Sequence, residues 1–220
     1  MSKYELFLHL LQSYCEKYGC PVEIETTLRD ASCNNADRDN PKYIKLTHNL
    51  NAISMDYIAQ NIVRKIHFEG SVDVKDAPAS VDAFLIDSEG KWYFIEYKNQ
   101  PLKNTKKSCI EKSYSNVFWL LKILKELIED KSFSFEEFSS CPADIDPFDF
   151  VKEYCHFILV AWDNGEDVQY LAKIKDAKKA KIQLPDSFVF LKKLESYIFK
   201  SATAYSESEF DKLFANSFQY

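Results

Sequence analysis

Apolar residues recur every three or four positions in several parts of the chain, which is the spacing of an amphipathic helix. The first such helix follows Ser2, whose distance from Glu5 is that of a capping box, and it ends before Gly19. Further helices are predicted over 51–65 and 110–128. In the last of these, six apolar residues are expected to face a sheet: Ile110, Tyr114, Val117, Leu121, Leu124 and Ile128.

Segments with alternating or continuously apolar residues predict strands between these helices. They lie at 22–28, 66–74, 81–87 and 91–98. The run 155–162 is almost wholly apolar and predicts a central strand that is covered on both faces. A polar and acidic insert over 132–153 precedes it, and a short last helix is predicted over 207–216, capped by Ser206. The order of helix, three strands, helix and strand predicts an α/β fold with a mixed sheet flanked by helices.

The composition favours one packed domain over 1–220. The chain contains only four glycines and seven prolines, which leaves little material for linkers or disordered tails. The glycines lie at least 20 residues apart, so no GxGxxG, GxxxxGK or GxSxG motif is present. Dinucleotide enzymes of the fingerprint type, P-loop NTPases and α/β-hydrolases are excluded, because their defining loops need those glycines.

Cysteines and histidines give no sign of a zinc site. The six cysteines form no CxxC pair and the four histidines form no HxxxH pair. The amino terminus lacks a basic region followed by an apolar core, and the longest apolar run, 157–162, is far shorter than the ~18 residues that span a bilayer. We therefore expect a cytoplasmic protein with reduced thiols and no membrane contact.

Two charged residues interrupt the apolar pattern at the end of one strand. Side chains alternate between the faces of a strand, so Phe94, Glu96 and Lys98 share one face of 91–98. A carboxylate and an ammonium therefore project together where a core strand would continue with valine or isoleucine. This placement makes Glu96 and Lys98 candidate site residues.

The hairpin before this strand decides whether Asp82 joins them. A three-residue loop over 88–90 puts Gly90 where a left-handed conformation is needed, and in that register Asp82 faces Glu96 with Cβ atoms ~5 Å apart. A two-residue loop would place Asp82 opposite Tyr97, on the other face of the sheet. We favour the three-residue loop, which brings the two carboxylates together.

Two opposed carboxylates repel each other, so a positive charge must balance them. A hard divalent cation held by oxygen ligands would do so, and in the absence of zinc-type ligands this would be Mg²⁺ or Mn²⁺. The ammonium of Lys98 on the same face would also do so. In the simplest alternative, therefore, Lys98 pairs with Glu96 or Asp82 in an ordinary surface hairpin.

The motif formed by Asp82 and Glu96-Tyr97-Lys98, with a gap of 14 residues, resembles the signature of the PD-(D/E)xK nuclease superfamily. That superfamily has the restriction-endonuclease-like fold, whose core is a helix, a three-strand meander, a helix and a strand. The resemblance covers 51–162, with 1–50 and 163–220 as additions packed on this core. The sequence departs from the nominal motif at Val81, which stands where the motif has proline.

The resemblance implies roles for the motif residues. Asp82 and Glu96 would bind Mg²⁺ or Mn²⁺ together with the backbone carbonyl of Tyr97. Lys98 would orient the attacking water or help to deprotonate it, and would stabilise the charge on the phosphate in the transition state. The implied activity is metal-dependent hydrolysis of phosphodiester bonds in nucleic acid, with DNA favoured over RNA.

Other candidate residues come from the resemblance and from local charge. Many members of the superfamily add an acidic residue from the helix before the first strand, for which Asp56 is the first candidate and Glu69 the second.

The net charge of −6 argues mildly against a nucleic-acid partner, but 98–125 contains seven lysines and one glutamate. Those nearest the start of the predicted helix are candidates for phosphate contact, with simple solvation as the alternative. They are Lys103, Lys106, Lys107 and Lys112.

Two other functions stay open on the sequence alone. A catalytically inactive module of the same fold would bind nucleic acid or a protein partner and keep the motif incidentally. A glycosidase also uses two carboxylates, but the sequence places no second acidic pair at the separation that such an enzyme needs. We also allow for a homodimer, about which the sequence gives no signal.

Overall fold

A mixed sheet of six strands organises the chain. The computed structural model describes residues 1–34, 39–67, 77–99, 105–163, 165–180 and 189–220. Within these residues the order of the strands in the sheet is their order in the chain. They are β1 (Glu25–Thr27), β2 (Asn51–Ser54), β3 (Ala83–Ile86), β4 (Trp92–Lys98), β5 (Cys155–Ala161) and β6 (Ser201–Ser206). Strands β1 to β4 pair antiparallel, whereas β4, β5 and β6 pair in parallel.

Helices flank this sheet on both faces. In chain order they are α1 (Lys3–Lys17), α2 (Leu28–Ala31), α3 (Met55–Ile58), α4 (Arg64–His67), α5 (Lys106–Glu129), α6 (Phe135–Phe138), α7 (Pro147–Tyr154), α8 (Gly165–Ala180), α9 (Val189–Tyr197) and α10 (Glu207–Leu213). A π-helical turn, Ala59–Val63, joins α3 to α4. Within the described ranges, no helix is long and apolar enough to cross a membrane. The predicted α/β class, with a mixed sheet flanked by helices, is confirmed.

Side-chain alternation along the strands builds one core on each face of the sheet. Phe84, Trp92 and Phe94 belong to the larger core, which also contains residues of α1, α5 and α9. Ala83 and Ile95 point the other way, into a smaller core that includes residues of α2 and α10. Strand β5 lies between β4 and β6 and is buried on both faces, as its apolar run predicted.

The predicted capping box of α1 and the predicted cap of α10 are both confirmed. Ser2 and Glu5 exchange hydrogen bonds at the start of α1, and Gly19 follows this helix with φ of 60°. Ser206 and Glu209 make the same pair of bonds at the start of α10. These signals depend only on neighbouring residues, which is why the sequence reveals them.

The helix predicted over 51–65 is wrong at its beginning. Asn51–Ser54 forms β2, in which Ala52 and Ile53 are buried between β1 and β3, and the helix starts only at Met55. The strand predicted over 66–74 is also wrong where it starts, because α4 extends to His67. The rest of that prediction, 68–74, lies outside the described residues. The antiparallel meander therefore consists of β2, β3 and β4, with α3 and α4 between its first two strands.

The segment 132–153, predicted to be a polar insert, contributes to the larger core. It contains α6 and most of α7, and four of its five phenylalanines are buried in the fold, whereas Phe148 is exposed. The buried residues are Phe133, Phe135, Phe138 and Phe150. Stacked and edge-on contacts among these rings hold the segment against Phe7 and Trp92.

The hairpin between β3 and β4 has the predicted register. Phe84 pairs with Phe94, and the N–H of Asp87 donates to the Lys91 carbonyl at 3.0 Å, closing a three-residue loop. Gly90 adopts φ of 83°, the left-handed conformation that this loop requires. This register aligns Asp82 with the end of β4.

We expect Gly90→Ala to destabilise the protein more than Gly19→Ala does, although both glycines have positive φ. At Gly19 a Cβ atom meets nothing within 4 Å, so the cost is the backbone strain alone, about 1–2 kcal/mol. At Gly90 a Cβ atom would collide with the backbone of Phe138 and Ser139. Urea denaturation should show a loss of about 3 kcal/mol or more for Gly90→Ala; equal losses in the two variants would contradict the observed packing of the hairpin.

Candidate active site

Helix α5 presents a partly polar face to the sheet. The helix confirms the prediction for 110–128, but the predicted stripe does not coincide with its buried face. Tyr114 is 54% exposed and Ile128 is 39% exposed, whereas Ser113, Asn116 and Trp119 are buried. The reason is that polar residues of α5 make specific bonds with the segment that leads into β3, and these bonds set the rotation of the helix.

Two side chains of α5 hold that segment in place. The Asn116 side-chain oxygen accepts a hydrogen bond from the Val81 N–H at 3.0 Å, and the Trp119 indole N–H donates to the Ala79 carbonyl at 3.4 Å. Asn116 is fully buried, so its bond to the backbone lies within the core. Because Val81 immediately precedes Asp82, these contacts fix the backbone from which the Asp82 carboxylate projects.

The Asp82 carboxylate lies at the ends of β3 and β4. Its backbone N–H donates to the Ile95 carbonyl at 3.0 Å, one residue out of register with the ladder, which ends at the Ala83–Ile95 pair. One carboxylate oxygen, Oδ2, accepts the Tyr97 N–H at 2.6 Å. The other, Oδ1, lies 3.1 Å from the Lys112 ammonium. One carboxylate thus contacts both the neighbouring strand and α5.

Glu96 shares the Lys112 ammonium with Asp82. Its side chain is fully buried, and its Oε2 lies 3.0 Å from Lys112 Nζ. Its Oε1 lies 2.5 Å from Lys98 Nζ, which in turn donates to the Ser108 hydroxyl at 3.0 Å. The contact with Lys98 is a close ion pair, so each oxygen of Glu96 faces an ammonium. The two carboxylates therefore meet at the Lys112 ammonium.

Burial and mutual repulsion shift the proton affinities of both carboxylates. Burial, with the charge of Asp82 in addition, raises the pKa of Glu96 to about 8, although Lys112 and Lys98 oppose this. Burial also raises the pKa of Asp82, and the charge of Asp56 adds to the effect. Burial would lower the pKa of Lys112, but the charges of the two carboxylates outweigh it and the pKa is raised. The ammonium is thus held firmly in its charged form.

The remaining predicted site residues have different positions. Asp56 lies in the first turn of α3, accepts a hydrogen bond from the Ser80 hydroxyl, and is close enough for its charge to act on Asp82 and Lys112. The side chain of Tyr97 packs in the smaller core, and the assignment of its carbonyl as a metal ligand stays a prediction. Glu69 lies outside the described residues.

The four lysines predicted to contact phosphate fall into three groups. Lys106 and Lys107 are exposed in the first turn of α5, where solvent and phosphate can both reach them. Lys103 lies outside the described residues. Lys112 ion-pairs with Asp82 and Glu96 inside the chain, so the structure gives it partners that the sequence did not suggest.

Ser108 and Lys112 are the site residues whose roles the sequence did not show. They lie four positions apart, a spacing that places both on one face of a helix. The same face carries the buried polar residues Ser113 and Asn116. A polar stripe on an otherwise amphipathic helix next to the motif was the available signal, but the apolar stripe that dominates the same sequence obscured it.

The donor set fits a hard divalent cation. Carboxylate oxygens are the ligands that Mg²⁺ and Mn²⁺ prefer, and here two of them converge on a point that already holds a positive charge. The described residues contain no cluster of three or more His, Cys, Asp or Glu side chains arranged to hold a metal. The other ligands would therefore be backbone carbonyls, water or substrate oxygens, as is common for Mg²⁺.

Comparison with protein families, with curated proteins and with solved structures gave no match for this chain. The class that the structure defines is an α/β protein with a mixed six-stranded sheet across its described residues and a carboxylate–lysine cluster at the ends of two strands.

The raised pKa of Glu96 predicts how stability depends on pH. Because the carboxyl group holds its proton up to about pH 8 when folded but only up to about 4.5 when unfolded, it favours the folded state at low pH. The free energy of unfolding should fall as the pH rises from about 4.5 to 8, by a few kcal/mol at about 1.4 kcal/mol per pKa unit. Urea denaturation of the wild type in the presence of a chelator measures this loss.

Glu96→Gln is the matched variant for this measurement, since glutamine has nearly the same shape and does not titrate. Its free energy of unfolding should depend less steeply on pH between about 4.5 and 8. If the wild-type and variant profiles run parallel, Glu96 does not have the raised pKa.

Proposed function

We propose that this protein is a metal-dependent nuclease of the PD-(D/E)xK type, which hydrolyses phosphodiester bonds in nucleic acid with Mg²⁺ or Mn²⁺. DNA is the favoured substrate on the resemblance alone. The observation that carries the proposal is the convergence of Asp82 Oδ1 and Glu96 Oε2 on one point, at 3.1 and 3.0 Å, with the Lys98 ammonium against the other oxygen of Glu96. These are the three residues of the motif, and they come from adjacent strands.

Each motif residue has a role in this proposal. Asp82 and Glu96 hold the cation, which when bound supplies a Lewis acid that stabilises the extra negative charge on the phosphate. Lys98 orients the attacking water and adds a second positive charge next to the phosphate. The Ser108 hydroxyl accepts a hydrogen bond from Lys98 and thereby keeps its ammonium pointing at the site. Burial of the cluster supports the proposal, because electrostatic interactions are stronger where water is excluded.

The start of α5 offers a place for the nucleic-acid backbone. Lys106 and Lys107 are exposed in the first turn of this helix, which follows the strand that carries the motif. Exposed lysines contribute to affinity by neutralising phosphates, and the positive end of the helix dipole acts in the same direction. Contacts of this kind carry no sequence information, so they position the substrate without selecting it.

A catalytically inactive module is the second candidate function. The observation in its favour is that Lys112 and Lys98 already supply two positive charges to the two carboxylates, so the cluster needs no further cation. Such a network can serve to hold α5 against the sheet. In this case the protein would bind nucleic acid or a protein partner through the same surface and would cleave nothing.

Cleavage assays separate the two functions. We expect the wild-type protein to degrade fluorescently labelled single- or double-stranded DNA in Mg²⁺ or Mn²⁺ and to be inactive with a chelator. Glu96→Gln, Asp82→Asn and Lys98→Met should each reduce the rate about a hundredfold or more, since removing one group that stabilises transition-state charge has an effect of that size. RNA of the same sequence tests the preference for DNA.

Lys122→Met is the control for these variants, because Lys122 is exposed on the same helix and makes no contact with the motif. It should retain the wild-type rate, and circular dichroism should show that all variants are folded. If the wild type binds the oligonucleotides in fluorescence anisotropy but cleaves none of them with either metal, the inactive module is the correct function.

A further inference from the structure

Lys112 occupies the point between the carboxylates where the proposed nuclease would hold its metal. Its ammonium lies 3.1 Å from Asp82 Oδ1 and 3.0 Å from Glu96 Oε2, the distances of charge-assisted hydrogen bonds. A Mg²⁺ ion binds the same type of oxygen at about 2.0–2.1 Å. The ammonium and the metal ion cannot both lie between these two oxygens, because there is room for only one cation.

The Lys112 side chain can leave this position without unfolding its helix. It projects from the second turn of α5, and 23% of the side chain is exposed, compared with 14% for Lys98 and none for Glu96. Rotation about its four side-chain bonds would carry the ammonium to solvent while the backbone stays in place. The neighbours that hold the helix, among them Asn116 and Trp119, would not move.

Charge balance determines whether the metal ion replaces Lys112 more readily with or without substrate. When both carboxylates are ionised, they form a neutral cluster with the two ammoniums of Lys98 and Lys112. Replacing Lys112 by a divalent cation leaves one excess positive charge in a largely buried site. One phosphodiester group carries one negative charge and would restore neutrality. Metal binding with substrate present is therefore favoured over metal binding alone.

We infer that Lys112 is a positioning residue that takes the place of the metal ion in the resting protein and is displaced when a divalent cation binds. This inference rests on the proposed function. In the resting state the ammonium keeps the two carboxylates together and prevents them from repelling each other. After displacement it lies beside the metal site, where it can contact the phosphate that enters.

Binding of Mn²⁺ tests the exchange without any measurement of activity. Titration followed by electron paramagnetic resonance at about pH 8 should give a dissociation constant for Lys112→Met about tenfold to a hundredfold lower than for the wild type, since the metal no longer has to break two charge-assisted bonds. Lys122→Met should bind Mn²⁺ as the wild type does. Equal affinity in Lys112→Met and wild type would overturn the inference and leave the proposed function intact.

Lys98→Met distinguishes displacement from a simple change in charge. This variant also removes one positive charge from Glu96, but it leaves the Lys112 ammonium between the carboxylates. Its affinity for Mn²⁺ should rise less than that of Lys112→Met. An equal or larger rise in Lys98→Met would show that charge alone sets the affinity and would overturn the inference.

Amine labelling of the wild type provides a test that needs no variant and no stable mutant fold. Acylation followed by mass spectrometry should show Lys112 protected in chelator and several-fold more reactive in saturating Mg²⁺, while the exposed Lys122 reacts equally in both. Unchanged labelling of Lys112 in protein that binds the metal would overturn the inference. Absence of metal binding in both the wild type and folded Lys112→Met would instead overturn the proposed function, and the inference with it.

Discussion

The repulsion between two buried carboxylates is the constraint that shapes this end of the molecule. Asp82 and Glu96 lie at the ends of neighbouring strands and point at the same place, which is costly unless a positive charge lies between them. Lys112 supplies that charge from a helix that crosses the sheet. The shifts in pKa of all three groups follow from this one arrangement.

Helix α5 must bury apolar residues in the larger core and also place polar residues at the charged cluster. Its apolar residues contribute to the larger core, while Ser108 and Lys112 reach the charged cluster and Asn116 bonds to the backbone ahead of β3. A helix cannot direct both its apolar stripe and its polar stripe fully at the same sheet. The observed rotation gives the Asn116 side-chain oxygen and the Ser113 hydroxyl hydrogen-bond partners, and it leaves large apolar residues such as Tyr114 and Phe118 in solvent.

The same cluster can be understood as a structural ion-pair network or as the resting form of a catalytic site. A buried network of this kind is weak evidence for stability, because desolvation offsets much of the attraction between the charges. Its composition is more informative: the residues in contact are those whose spacing resembles the nuclease motif, together with one lysine that a divalent cation could replace. For this reason we favour the catalytic interpretation. In it, the metal ion and the phosphate together replace the Lys112 ammonium in keeping the cluster neutral.

Local features of this protein are determined by its sequence. The two capping boxes, the central strand β5 and the three-residue loop with Gly90 depend on neighbouring residues and on the alternation of side chains along a strand. The register of β3 and β4 belongs with them, because the loop sets it and thereby brings Asp82 close to the end of β4. This part of the candidate site could therefore be predicted before any coordinates were known.

Tertiary structure alone decided the rest. The spacing of Ile53 from the apolar residues after it suits a helix, and only pairing with β1 and β3 makes this segment a strand. The partners of Lys112 lie 30 and 16 residues away in the chain, and they depend on how far α5 is rotated against the sheet. That rotation results from the sum of many packing contacts and from bonds such as that of Asn116 to Val81, which no local pattern in the sequence encodes.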